Sequence, residues 1–129
     1  MNKHERNKQA VTGFYDLMFN QNKPREAIKR YAGIEYIQHN PNVPDGKESF
    51  ITYFEQKSKE FPGKRVEFKH IFAEGDFVVV HCFQDWAADN ERYWASIDIF
   101  RLDEEGKIVE HWDVIQPVPD KSANDNTMF

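Results

Sequence analysis

The chain has 129 residues, of which 40% are hydrophobic and 15% aromatic, and its net charge is −5. This length predicts one domain over residues 1–129 that buries a core without disulfides or metals. The acidic balance argues against nucleic acid and against an anionic membrane surface as partners. A polar N-terminus and the lack of a long apolar run predict no membrane span. The single cysteine, Cys82, favours a reducing, cytoplasmic location.

The first half of the chain carries helical patterns. Apolar residues at helical spacing predict a first helix over about residues 3–20, and Pro24 marks the first turn of a short second helix. Asp45 and Glu48 have the spacing of a capping box and predict the start of a third helix. Pro62 and the glycine after it are expected to end that helix.

The second half carries the alternation that is typical of strands. Two hairpins are predicted, over residues 66–74 with 77–85 and over residues 93–102 with 107–116. A short strand at 36–39 is expected between the second and third helices, and residues 118–129 are expected to form a tail. Helices followed by an antiparallel meander predict an α+β fold, with three helices on one face of a curved sheet.

Polar and aromatic residues share one face of the second hairpin. Because side chains alternate along a strand, that face carries Trp94, Ser96, Asp98, Phe100, Val109, His111 and Asp113. A four-residue turn would place Asp98 opposite His111, whereas an odd turn would slip the register and destroy the set. Carboxyls and imidazoles among aromatic rings can exchange protons with a ligand, because burial and neighbouring charges shift their pKa values. The competing interpretation is that both aspartates face solvent.

The first hairpin contributes a further candidate. His81 shares a strand face with Phe83 and is expected beside His70. Whether that face joins the one that carries Asp98 depends on the loop at 86–92. We expect an even-length loop, which would place His81 near Asp98. A lesser alternative is a metal site, which would need convergence of three histidines and one carboxylate, namely His39, His81, His111 and either Asp98 or Asp113. No metal is predicted.

Three candidates lie in the helical half. His39 and Asn40 follow the short strand, where they could line the mouth of a cavity or only bond the backbone of a turn. Tyr15 lies on the apolar stripe of the first helix, so its hydroxyl should point toward the core, either into a cavity or onto a backbone partner.

Cys82, in the strand half, alternates away from His81 and is expected to be an inert buried thiol.

The predicted order of elements resembles the nuclear transport factor 2-like fold. Four segments look like the SnoaL-like polyketide cyclase group, and they are residues 36–41, 97–101, 106–114 and 124–129. The resemblance implies a cone-shaped barrel with a pocket between helices and sheet, commonly paired as a homodimer, and no cofactor. It also implies that Asp113 is the general acid/base of an aldol closure. By the same resemblance His39 or Asn40 holds the enolate oxygen, and Tyr15 lines the pocket.

These observations lead to one functional hypothesis. Asp113 acts as general acid/base, and His111 and Asp98 set its protonation state. His39 and Asn40 stabilise a developing oxyanion. The residues expected to bind the apolar body of a small carbonyl compound are Tyr15, Asn40, His81, Phe83, Trp94 and Phe100. The reaction would be aldol-type cyclisation, isomerisation or dehydration, and the alternative is a non-catalytic ligand-binding or dimeric interaction module of the same fold.

Overall fold

The helices and strands follow the order expected from the sequence. The computed structural model describes residues 1–88 and 92–129. Its helices are α1 (Lys3–Tyr15), continued by a π-helical segment (Asp16–Asn20), α2 (Pro24–Tyr31) and α3 (Lys47–Glu60). Its strands are β1 (Ala32–Gln38), β2 (Arg65–Glu74), β3 (Phe77–Asp85), β4 (Tyr93–Leu102) and β5 (Ile108–Pro117). In the described ranges no helix is both long and apolar enough to cross a membrane.

The strands form one curved sheet with the order β1-β5-β4-β3-β2. The meander β2 to β5 is antiparallel, as expected, and β1 adds to it parallel to β5. The two edge strands are β1 and β2, so the sheet is open rather than closed into a barrel. The expected α+β architecture is confirmed. We call the face toward the helices the inner face and the opposite one the outer face.

The core lies between the helices and the inner face, and Phe14 is at its centre. This ring is fully buried and lies 5.5 Å from Phe50, 5.9 Å from Tyr36 and 6.3 Å from Phe100, measured between ring centroids. One aromatic residue of α1 therefore ties α3, β1 and β4 together. Burying an aromatic side chain of this size contributes roughly 1.5–3 kcal/mol.

The π-helical segment buries a run of apolar side chains in the core between the helices and the sheet. Its wider turn buries three consecutive residues, Leu17, Met18 and Phe19, which an ordinary α-helical turn would not place on one side. Asn20 fixes the segment to β2, because its Oδ1 accepts from the Val66 N–H at 2.7 Å and its Nδ2 donates to the Val66 carbonyl at 3.3 Å. Such segments occur often at functional sites.

The start of α3 differs from the expected capping box. Gly46 is the N-cap residue and provides no side-chain cap. The Asp45 carboxylate instead accepts the Gln38 N–H at 2.8 Å, and thereby ties the loop back to the end of β1. The capping-box prediction was wrong because the acid is used by a neighbouring strand rather than by its own helix.

The β4–β5 hairpin has a different register from the expected one but keeps the same faces. Leu102 pairs with Ile108, so the turn has one residue more than expected, and a bulge at Val109 adds a second shift. Two one-residue shifts restore the original alternation, so Asp98 pairs directly with Asp113 on the inner face. Gly33 makes room for the bulge, since a Cβ there would lie 2.6 Å from Val109 Cγ1.

The first hairpin turns its histidines away from the core. The register pairs Asp85 with Tyr93 and therefore His81 with Ile97, on the outer face. The expected even-length loop was wrong, because seven residues separate the paired ends. Residues 89–91 of that loop lie outside the described residues. A bulge between Phe68 and His70 also moves Phe68 to the inner face, where it stacks on Tyr15, while His70 stays beside His81.

Candidate functional site

A cavity of about 350 Å³ lies between the helices and the inner face of the sheet. Its apolar wall is largely aromatic and includes Phe19, Phe50, Phe54, Trp86 and Trp94. Its polar wall is contributed by α1, the end of β1 and the middle of β5, and includes Tyr15, Gln38, Asn40, His111 and Asp113. The polar groups converge on the paired aspartates of β4 and β5.

Asp98 is the buried centre of this polar wall. Its side chain is 0% exposed, and it does not itself line the cavity. Tyr15 donates its hydroxyl hydrogen to Asp98 Oδ1, and His111 Nε2 lies 2.9 Å from the same oxygen. Ser96 Oγ lies 2.8 Å from Asp98 Oδ2. A buried carboxylate is stable only with such partners, so these contacts form a single unit.

On the Ser96 side of Asp98, the indole of Trp86 fixes which group donates in each hydrogen bond. The Trp86 Nε1–H can only donate, and it does so to Gln84 Oε1 at 2.9 Å. The Gln84 amide nitrogen therefore faces Ser96 Oγ, at 3.2 Å, and donates to it. Ser96 must then direct its own hydrogen to Asp98, so Asp98 Oδ2 acts as an acceptor.

A backbone group fixes the directions on the histidine side in the same way. The Asn40 N–H donates to Gln38 Oε1 at 3.0 Å. That oxygen also lies 2.7 Å from His111 Nδ1, so Nδ1 must carry a hydrogen. The Asn42 N–H donates to Asn40 Oδ1, which leaves the Asn40 amide nitrogen to donate to Asp113 Oδ2 at 2.9 Å.

These directions leave one proton to be shared at the centre of the cluster. With Nδ1 protonated, His111 Nε2 faces Asp98 Oδ1 at 2.9 Å, and two acceptors would repel at that distance. A proton must therefore lie on one of these two atoms. The Tyr15 hydroxyl lies 3.1 Å from the same nitrogen, and burial, followed by the Asp98 charge, raises the Tyr15 pKa well above its usual value. Tyr15 thus stays protonated.

Asp113 is the carboxyl group of the cluster that faces the cavity. Burial raises its pKa above the usual value for aspartate, and the nearby Asp98 charge raises it further. The opposing influences are His111, whose ring nitrogen lies 3.9 Å from Asp113 Oδ2, and the Asn40 hydrogen bond. A carboxyl group with a raised pKa and access to a cavity can accept a proton and return it.

The structure brings together most of the residues that the sequence singled out. Tyr15, Asn40, Trp94, His111 and Asp113 line the cavity, and Asp98 lies directly behind them. Phe100 is buried below the His111 ring, at 4.8 Å between centroids, and supports that ring rather than lining the cavity. The inward orientation of both aspartates was predicted.

Three expected site residues lie elsewhere. His39 is outside the cavity lining, 2.8 Å from Glu110 Oε2 and stacked on Trp112 at 4.8 Å. His81 and Phe83 are on the outer face, so they cannot bind a ligand in this cavity. The physical reason is strand alternation: His39 follows an inward Gln38, and the odd loop turns His81 outward.

Sequence reasoning missed two glutamines that organise the cluster. Gln38 accepts a hydrogen bond from the His111 ring. Gln84 accepts from Trp86 and donates to Ser96, and so determines that Ser96 donates to Asp98. The alternation of buried residues in the sequence would have placed both glutamines on the inner face. Gln38 lies two residues from the buried Tyr36, and Gln84 continues the buried alternation Val78, Val80, Cys82.

The cluster also has the ligand set of a metal site. One atom each of Asp98, His111 and Asp113 lies within 4.8 Å of the others. A histidine and two carboxylates could hold a divalent cation at these positions. The alternative metal set suggested by the sequence, which used His39 and His81, does not converge, because both residues lie outside the cavity.

Comparison with known proteins places the chain in a family. Residues 9–120 match the SnoaL-like polyketide cyclase family. TsrD from Streptomyces laurentii has 20% sequence identity and a TM-score of 0.73, with 89% of this chain and 91% of that chain covered. A candidate polyketide cyclase from Bacillus cereus has 22% identity and a TM-score of 0.72, with 85% and 74% covered.

A third similar structure is AclR, a candidate hydroxylase from Streptomyces galilaeus. It has 22% identity and a TM-score of 0.69, and the likeness covers 88% of this chain and 91% of that chain. No curated protein matches the sequence. At these identities the solved structures establish the fold alone, whereas the family match supports a small-molecule enzyme in general.

Proposed function

Because the chain belongs to the SnoaL-like polyketide cyclase family, we propose that it transfers protons to and from a small carbonyl compound in its cavity. Asp113 is the general acid/base. The reaction is an aldol-type cyclisation, an isomerisation or a dehydration, and the chain's own residues supply the chemistry without a cofactor. The observation that supports this proposal most directly is that Asp113 faces the cavity and that burial raises the pKa of its carboxyl group.

The first step breaks a C–H bond next to the carbonyl group. Asp113 takes the proton, and the electron pair moves through the new C=C bond onto the carbonyl oxygen. Asn40 lines the cavity and spends one of its two amide hydrogens on Asp113, so the second hydrogen can stabilise that oxygen. Of the two residues expected in this role, Asn40 keeps it and His39 does not.

The enolate then determines the product. It can take the proton back from Asp113 at another carbon, expel a β-hydroxyl group as water, or attack a second carbonyl carbon to form a C–C bond. Each path returns a proton to the molecule or its leaving group, so one acid/base residue is sufficient. Asn40 holds Asp113 in place through its 2.9 Å hydrogen bond.

Hydrogen–deuterium exchange tests this proposal without knowledge of the substrate. In D₂O the wild-type protein should accelerate loss of the acetyl-methyl proton signal of 2-acetylnaphthalene, followed by NMR. Asp113→Asn should lower that acceleration by about 10²–10⁴-fold, which is the usual contribution of general acid–base catalysis.

Asp120→Asn is the matched control, because Asp120 is an exposed aspartate outside the cavity. It should exchange like the wild-type protein. Full exchange by Asp113→Asn would refute the assignment. Binding of the ketone with no exchange by the wild-type protein would favour the non-catalytic ligand-binding module instead.

We also propose that two copies pair through the outer face and that the protein is cytoplasmic. Large apolar side chains on this face are exposed, including Phe72, Phe77, Ile97 and Val114. Exposed apolar area of this kind is typical of a protein–protein contact. The single, buried cysteine is in keeping with a reducing compartment.

A further inference from the structure

The α3 wall of the cavity changes from hydrocarbon to charge along its length. Phe50 is 1% exposed and Phe54 is 9% exposed, while Lys57, one turn further on, has 27% of its side chain exposed. All three line the cavity. At 1.5 Å per residue, Lys57 lies about 10 Å along the helix axis from Phe50. Lys57 therefore marks the open end.

The Lys57 ammonium is held over the mouth by two aromatic rings. It lies 5.3 Å from the Tyr53 ring centroid and 5.8 Å from that of Phe61, distances at which a cation is attracted to a ring. Its contact with Glu60 Oε2 is 3.8 Å, which is longer than a hydrogen bond. An ammonium group has three donors, so this cation can still bind an anion.

The charges of the lining run opposite to those of the chain. The protein has a net charge of −5, yet among the described lining residues the cations Lys57 and Arg92 outnumber the one carboxylate, Asp113. Arg92 directly precedes β4. Asp113 lies with His111 in the polar wall, and Asp98 is directly behind it.

We infer that the natural ligand is an anionic carbonyl compound whose carboxylate pairs with Lys57 at the mouth while its carbonyl end reaches Asp113. The carbonyl end of this inference rests on the proposed function. The charge pattern also orients the molecule, because the aspartates repel a carboxylate from the inner end and Lys57 attracts it at the outer end. The aromatic middle of the cavity accommodates the apolar body between them.

A matched pair of probes tests the charge preference by calorimetric titration. The probes are 6-acetyl-2-naphthoate and its neutral primary amide, which share shape and ketone. The wild-type protein should bind the carboxylate about tenfold or more tightly than the amide, the usual range for a charge-assisted hydrogen bond. Lys57→Gln should remove that difference by weakening carboxylate binding, with amide binding changed by less than about twofold.

Lys59→Gln is the matched control. Lys59 lies on the same helix but is exposed and outside the cavity, so its loss changes net charge equally without touching the ligand. This variant should keep the carboxylate preference. Equal affinity of the two probes for the wild-type protein would overturn the inference, as would a preference that survives Lys57→Gln or is lost equally in Lys59→Gln.

The two proposals fail separately. A carboxylate preference that depends on Lys57, combined with unchanged exchange by Asp113→Asn, would leave the binding site intact and refute the catalytic role. Loss of exchange in Asp113→Asn with no carboxylate preference in the wild-type protein would support the catalytic role and refute the carboxylate-binding site.

Discussion

The two faces of the sheet carry the same kind of histidine–carboxyl contact in different surroundings. On the inner face His111 Nε2 lies 2.9 Å from Asp98, with side chains 4% and 0% exposed. On the outer face His39 Nε2 lies 2.8 Å from Glu110, with side chains 41% and 15% exposed. The distances are alike, so burial is what distinguishes a pair that can perturb a neighbouring carboxyl group from one that solvent screens.

The outer pair behaves as an ordinary surface network. The His39 hydrogen bond, with a further one from Arg101, lowers the Glu110 pKa. Charge is therefore favoured on Glu110, whereas burial raises the pKa of Asp113 and disfavours charge there. Of these two carboxyl groups, Asp113 is the one whose charged form is disfavoured by burial, so stability and chemistry are in conflict on the inner face.

The largest expected effect comes from removing one member of each pair. Asp98→Ala leaves Tyr15, Ser96 and His111 without their common acceptor, so it should lower the free energy of unfolding by about 3–5 kcal/mol. Glu110→Ala should cost less than about 1 kcal/mol, because solvent replaces the lost partner. Urea unfolding followed by circular dichroism measures both. Equal losses would show that burial is not the deciding factor.

A smaller effect of opposite sign is expected for Asp113→Asn. The folded pKa of Asp113 is raised, so its contribution to stability is present below the unfolded pKa, about 3.9, and is lost as pH rises through the folded pKa. The variant should therefore be more stable than the wild-type protein at pH 7, by about 0.5–2 kcal/mol.

Urea unfolding at pH 4 and pH 7 checks this second prediction. The advantage of the variant should shrink toward pH 4, where Asp113 is increasingly protonated in the wild-type protein. Asp120→Asn should show no such pH-dependent gain. A stability gap that widens on acidification would mean that the Asp113 pKa is lowered and that the carboxylate is well solvated or well paired.

The smallest effect on unfolding is expected on the outer face. Val114→Lys places a charge on a side chain that is 75% exposed, so the stability of one subunit should change by no more than about 0.5 kcal/mol. If two copies pair through this face, the same change should halve the mass measured by light scattering. Thr52→Lys, an exposed residue of α3, is the control and should keep the wild-type mass. A wild-type monomer would refute the pairing.

The sequence predicted the inner face of β4 and β5 better than it predicted their pairing. Alternation alone places His111 and Asp113 on one face of β5, whereas grouping them with Asp98 of β4 also requires the correct parity of the turn. Their partners depend on the turn length, and neither the fifth turn residue nor the bulge at Val109 has a pattern in the sequence. The prediction of inward aspartates held because the two shifts cancelled.

The wrong predictions for His81 and His39 show where reasoning from strand alternation fails. The face of His81 relative to β4 depends on one count, the number of residues between the paired ends of β3 and β4, and a wrong count reverses every side chain. For His39 the necessary information was present. Tyr36, Gln38 and Asn40 all line the cavity, so extending the alternation of β1 by two residues would have selected Asn40 and rejected His39.

The bulge at Val109 is one of the features that set how far apart in the sequence the two aspartates must lie. Residues 99–112, which number 14, separate Asp98 from Asp113. Genomic sequences that conserve this number are expected to keep both acids on the inner side with the same turn and bulge, whereas a relative that gains or loses one residue there must change the turn or the bulge to keep the two acids opposite each other.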